Sequence, residues 1–157
     1  MKKNILLLFL SGIYSYSDAQ KKPVVGAVKS DLMLMMESSD GTNACSVTYN
    51  PDKKLYYCFI AGNNDYPLEV FDIKGKNVYT GTIGMDARGL WYNPKYKQLE
   101  GTCYNNGYFS IPLTVEGFTQ EPVYVNESVK FAGEQSVASF SPANGEIYHF
   151  YDGKIHI

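Results

Sequence analysis

The chain has 157 residues, of which 45% are hydrophobic and 15% aromatic, which is enough apolar side chain for one core and argues against a disordered polypeptide. The formal net charge is −2 with no block of like charge, so the clustered basic face that nucleic-acid binding needs is missing. Fourteen tyrosines and eight phenylalanines weight the composition towards strands.

The first 19 residues read as an export signal. Lys2 and Lys3 precede the apolar run Ile5 to Leu10, and Ser17-Asp18-Ala19 puts small residues at −3 and −1 of a cut after Ala19. The run is too short to span a bilayer, and no cysteine lies near the cut to carry a lipid. A buried N-terminal strand is the competing reading. Export predicts a secreted or periplasmic protein of the cell envelope, in a compartment that permits disulfides. No later segment is long and apolar enough for a membrane helix. Residues 20–40 form an N-terminal strand or linker segment, with strand candidates at Val24 to Val28 and Leu32 to Met36. The run Met33, Leu34, Met35, Met36 also suits a short helix.

From residue 41 onward a pattern returns. Gly41 to Pro51 (GTNACSVTYNP), Gly84 to Pro94 (GMDARGLWYNP) and Gly133 to Pro142 (GEQSVASFSP) align, and their prolines lie 43 and then 48 residues apart. An apolar-aromatic run follows each, starting at Leu55, Leu99 and Ile147. Proline fixes φ for a turn and is excluded from central strands, so each segment predicts a strand, a tight turn opened by Asn-Pro or Ser-Pro, and an antiparallel partner. In the first unit, Leu68 to Ile73 reads as a third strand, Lys74-Gly75-Lys76 as a turn, and Asn77 to Ile83 as a fourth strand. In the second, Asn105-Asn106-Gly107 turns the chain into a third strand at Tyr108 to Thr114. Glu116-Gly117 then turns it into a fourth at Thr119 to Val125.

Four short antiparallel strands recurring at this spacing resemble the blades of secreted bacterial β-propellers of the NHL/YncE-like type. Val70-Phe71-Asp72-Ile73-Lys74-Gly75 carries the third-strand signature of that resemblance, which extends over residues 41–157. It implies an all-β fold of about 2.5 antiparallel four-stranded blades (41–83, 84–132 and a partial 133–157), with a β-sandwich as the alternative. Complete propellers have about four to eight blades. The chain therefore reads as a fragment of a longer propeller, as a copy that self-associates through open blade edges, or as an open wedge.

Candidate chemistry is sparse. The only histidines, His149 and His156, flank Asp152-Gly153, a two-residue hairpin turn that sets them opposite each other. They are a candidate metal pair that lacks a third ligand nearby. A four-residue loop between Tyr49 and Lys54 would oppose Cys45 and Cys58 as a candidate disulfide, with buried free thiols as the alternative and Cys103 left over. No nucleophile elbow, phosphate loop or zinc-protease motif occurs. Asn63-Asn64-Asp65 reads as a turn rather than a calcium loop.

In a propeller, the loops entering the first strand and joining the second to the third gather at one mouth of the channel. Here those are Asp40 to Asn43, Met85 to Arg88 and Glu134-Gln135, with Asn63 to Tyr66 and Asn105-Asn106. The ligand-binding candidates are accordingly Asp86, Arg88, Trp91, Asn63, Asp65 and Asn105. The plainer reading makes Asp86 and Arg88 an exposed ion pair and Trp91 inter-blade core. The functional expectation is an exported binding module for a protein, glycan or small molecule, with no cofactor and no nucleic acid. A fragment of a metal-dependent, lactonase- or hydrolase-like propeller enzyme is the alternative.

Overall fold

Asparagine and proline set the local architecture. In the computed structural model, which describes residues 31–37, 44–62, 65–104, 107–126, 138–151 and 153–157, strand β1 (Ala44–Asn50) ends on Asn50. The Asn50 Oδ1 accepts the N–H groups of Asp52 (3.0 Å) and Lys53 (3.2 Å), and Lys54 closes the turn at φ +57°. Such a side-chain mimic of a backbone turn is what asparagine supplies best, and proline beside it fixes φ. β5 (Ala87–Asn93) ends the same way. Its Asn93 Oδ1 accepts from Lys95 (3.0 Å) and Tyr96 (3.4 Å), and Lys97 sits at φ +53°. β9 (Ala138–Ser141) turns with the Gly145 N–H on the Ser141 carbonyl at 2.9 Å and Gly145 at φ +75°.

Each of these strands pairs antiparallel with its successor: β2 (Leu55–Ala61), β6 (Gln98–Cys103) and β10 (Glu146–Tyr151). The chain continues as β3 (Pro67–Asp72) and β4 (Asn77–Thr82) in the first sheet, β7 (Gly107–Pro112) and β8 (Val123–Asn126) in the second, and β11 (Lys154–His156) in the third. The sheet orders are β1-β2-β3-β4, β5-β6-β7-β8 and β11-β10-β9, all antiparallel. The fold is therefore all-β, with no helix among the described residues. None of those residues forms a helix long and apolar enough to cross a membrane.

The core lies between the first two sheets. Tyr57, Phe59, Leu68 and Val70 of the first meet Tyr92, Leu99, Phe109 and Ile111 of the second. Burying a side chain of this size stabilises by about 1.5–3 kcal/mol. Polar contacts fix how the sheets sit. The Tyr92 N–H donates to Thr48 Oγ1 at 3.0 Å, the Ser46 hydroxyl to the Arg88 carbonyl at 3.1 Å, and the Tyr57 hydroxyl to the Gly117 carbonyl at 2.6 Å. The third sheet lies on the other face of the second: Trp91 and Phe140 stack with ring centres 6.3 Å apart. β5 thus packs against β1 and also against β9.

Two expectations need correction. Residues 32–36 form neither strand nor helix. They run as an extended strap in which Leu32, Leu34 and Met36 are half-buried and Met33 and Met35 exposed. The strap covers the outer face of the first sheet, where the Glu37 N–H donates to the buried Glu69 at 2.8 Å. The fourth strand of the second sheet starts at Val123, not Thr119. Thr114 and Phe118 close a tight turn (Thr114 N–H to the Phe118 carbonyl, 2.8 Å), and Pro122 has no N–H to offer a ladder. The signal segment, Val24 to Val28, Asp40 to Asn43, Asn63, Asn105, Glu134-Gln135 and Asp152 lie outside the described residues.

Candidate functional site

Asp86 and Arg88 meet at the end of the sheets opposite the Asn-Pro turns. Arg88 Nη2 donates to Asp86 Oδ2 at 2.7 Å, and the Gly62 N–H reaches Asp86 Oδ1 at 3.3 Å. The Tyr104 N–H donates to the Asp86 carbonyl at 2.9 Å, and the Tyr104 ring lies 5.3 Å from the guanidinium carbon. Three chain segments therefore converge: the end of β2, the entry to β5 and the exit of β6. A register shift between Ala87 and Gly89 re-aims Arg88 within β5, the usual work of a bulge.

The pair is buried rather than exposed, with the Arg88 side chain 5% and the Asp86 side chain 17% accessible. Arg88 Nε has no hydrogen-bond partner among the described residues. A buried donor left unsatisfied costs about 1–3 kcal/mol. A guanidinium positioned by a carboxylate and an aromatic ring is a donor group suited to recognising an acceptor oxygen.

Trp91 does not join this group. It pairs with Glu100 across β5 and β6, donates Nε1–H to Glu100 Oε2 at 3.0 Å, and stacks against the third sheet. Asp65 is exposed in the turn before β3, where its backbone carbonyl accepts the Thr82 hydroxyl. Tyr104 was not legible as a site residue, because only tertiary packing puts its ring over Arg88.

His149 and His156 do face each other across the β10–β11 hairpin. His149 is buried and His156 exposed, and burial, then His156, lowers the His149 pKa. No group of three His, Cys, Asp or Glu side chains suited to a metal occurs among the described residues. The thiols are not directly opposed: Cys45 pairs with Ile60 and Cys58 with Val47, so the two are diagonal neighbours and both free. The reason is the turn. Pro51 to Lys54 form the loop, one residue later than a loop between Tyr49 and Lys54, and that displaces the register by two.

Two clefts open at the Asn-Pro end, each between successive turns. One, of about 430 Å³, is lined by Asp52, Lys53, Tyr92 and Lys97; the other, of about 310 Å³, by Pro94, Lys95, Phe140 and Pro142. A third cavity, of about 330 Å³, opens between the second and third sheets around Trp91 and Glu100. No protein-family model matches the chain, and no curated protein matches it in sequence.

Proposed function

We propose that this chain is an exported binding module built of propeller-type blades, about two and a half of them, with its recognition end at the loops around Arg88. Three features support blades over a two-sheet sandwich. The first strands of successive sheets lie side by side, β1 on β5 and β5 on β9. The turns after β1 and β5 share one asparagine-capped geometry. A third sheet continues the layering beyond the first core. The Lys2-Lys3 and Ser17-Asp18-Ala19 pattern supports export.

The observation that carries the recognition end is the Asp86–Arg88 ion pair beneath the Tyr104 ring, framed by three converging segments, with Arg88 Nε lacking a partner among the described residues. The test is a thermal-shift screen of the folded protein against oligosaccharides, short peptides and carboxylic acids. A ligand of this end raises Tm in the wild type and less in Asp86→Asn and Tyr104→Ala, and is recovered unchanged. Stabilisation that survives both substitutions, or consumption of the ligand, would overturn the reading.

A further inference from the structure

The cavity between the second and third sheets combines aromatic walls with a carboxylate that has no ion-pair partner among the described residues. Trp91, Tyr96 and Tyr108 contribute rings, Phe109, Val125 and Ile147 the remaining apolar lining, and Gln98 and Glu100 the polar floor. Every group bonded to Glu100 is neutral. Oε2 accepts Trp91 Nε1–H at 3.0 Å and Asn93 Nδ2–H at 2.9 Å. Oε1 accepts Asn93 Nδ2–H at 3.0 Å and Gln98 Nε2–H at 2.8 Å. Among the described residues Glu100 has no ion-pair partner, and no lysine or arginine lines the cavity. Lys95 lies 4.9 Å from the centre of the Tyr96 ring but lines the neighbouring cleft.

A half-buried carboxylate bonded in this way offers little further bonding. Each oxygen already accepts two N–H contacts, so neither a metal ion nor a primary ammonium, both of which need free lone pairs, is well served. What remains is the field of the charge, strengthened by the low-dielectric walls, and the negative faces of the rings. Both attract a cation that makes no hydrogen bonds and is weakly hydrated. We propose that this cavity is a binding site for a quaternary ammonium group, of the trimethylammonium type, seated against the rings with its charge answered by Glu100. The volume falls at the small end of ligand sites, about 300–1,000 Å³, which fits a methylated ammonium head with a short tail. The site is separate from the Arg88 end and stands whether or not that end binds anything.

Trp91 is the only tryptophan in the chain, so its emission reports the cavity directly. The folded full chain is titrated with choline, with its uncharged carbon isostere 3,3-dimethylbutanol, and with ammonium chloride at matched ionic strength. Choline is expected to change Trp91 emission saturably, with the isostere about tenfold weaker and ammonium without saturation. Glu100→Gln keeps an amide oxygen for Trp91 and Asn93 and is expected to bring choline and the isostere within about threefold of each other. Should that variant not fold, Tyr108→Leu and the wild-type comparison of choline with its isostere decide the matter. No saturable response to choline, or equal binding of choline and the isostere by the wild type, would overturn the proposal.

Discussion

A single methyl group at Gly101 interrogates the packing of the second sheet. Gly101 sits in β6 between Leu90 of β5 and Phe109 of β7. A Cβ built there lies 2.1 Å from the Gly89 carbonyl oxygen and 2.5 Å from Phe109 Cζ. Neither neighbour can yield easily. The first is backbone in the adjoining strand, and the second is a core ring that is 1% exposed. Overpacking a core costs about 1–3 kcal/mol and more where backbone must move, while replacing a strand glycine recovers about 0.5–1 kcal/mol. Gly101→Ala is therefore expected to lose about 2–3 kcal/mol net, a large part of the 5–15 kcal/mol typical of a domain.

Gly84→Ala is the control. Nothing lies within 4 Å of its Cβ position, but φ is +66°. The left-handed conformation costs about 1–2 kcal/mol, offset by about 0.4–1 kcal/mol from the stiffer unfolded chain. A net loss of no more than about 1.6 kcal/mol is expected. Urea unfolding followed by Trp91 emission gives both values from the midpoint at unchanged slope. A Gly101→Ala loss below that of Gly84→Ala would refute the packing assigned to β5, β6 and β7.

Two further expectations concern titratable groups. Burial pushes the thiols of Cys58 and Cys103 up to about 12, whereas Cys45, also raised by burial, is exposed on the edge strand β1; mass spectrometry of the reduced protein after iodoacetamide at pH 8 should show one modified thiol when native and three in urea. Fast labelling of Cys58 or Cys103 in the native protein would contradict the burial of β2 and β6. Burial holds the His149 pKa below its ordinary 6.5, so the unfolded chain takes up that proton first. The contribution of neutral His149 is complete above about pH 6.5 and is lost as pH falls towards the folded value, at no more than about 1.4 kcal/mol per pH unit. The urea midpoint should decline from pH 6.5 to 5, and His149→Gln should flatten that decline. The carboxyls of Asp72 and Glu116 are held below their ordinary values, chiefly by hydrogen bonds from backbone N–H groups, so they do not account for a decline in this window.

How far the fold was legible follows from which interactions are local. Asn50-Pro51 and Asn93-Pro94 disclose turns because asparagine and proline act within four residues of themselves. Lys74-Gly75-Lys76 does so because Asp72 Oδ1 gathers the N–H groups of Lys74 and Lys76, and Gly75 takes φ +79°. The His149–His156 register is equally local, because Tyr151 and Lys154 already pair beside it and Gly153 takes φ +69°. The relation of Cys45 to Cys58 was not secured, since displacing the loop by one residue changes every pair in the ladder. The strap at 31–37 is not legible in sequence, because Glu69 and the β3–β4 turn, both distant along the chain, lie against it. At the candidate sites, Asp86 and Arg88 are neighbours in sequence and were found together. Burial of their ion pair, the ring of Tyr104 and the cavity beside Glu100 arise from contacts between sheets, on which sequence periodicity is silent.

Among the described residues, the central apolar cluster draws its members from 55–113 and none from β9 to β11. The third sheet leans on its neighbour through Phe140 on Trp91. Dissociation of the molecule should consequently be sequential, with β9 to β11 peeling away at small free-energy cost while the paired inner layers stay intact. Amide protons of β10 would then exchange with solvent long before those of β2 and β6.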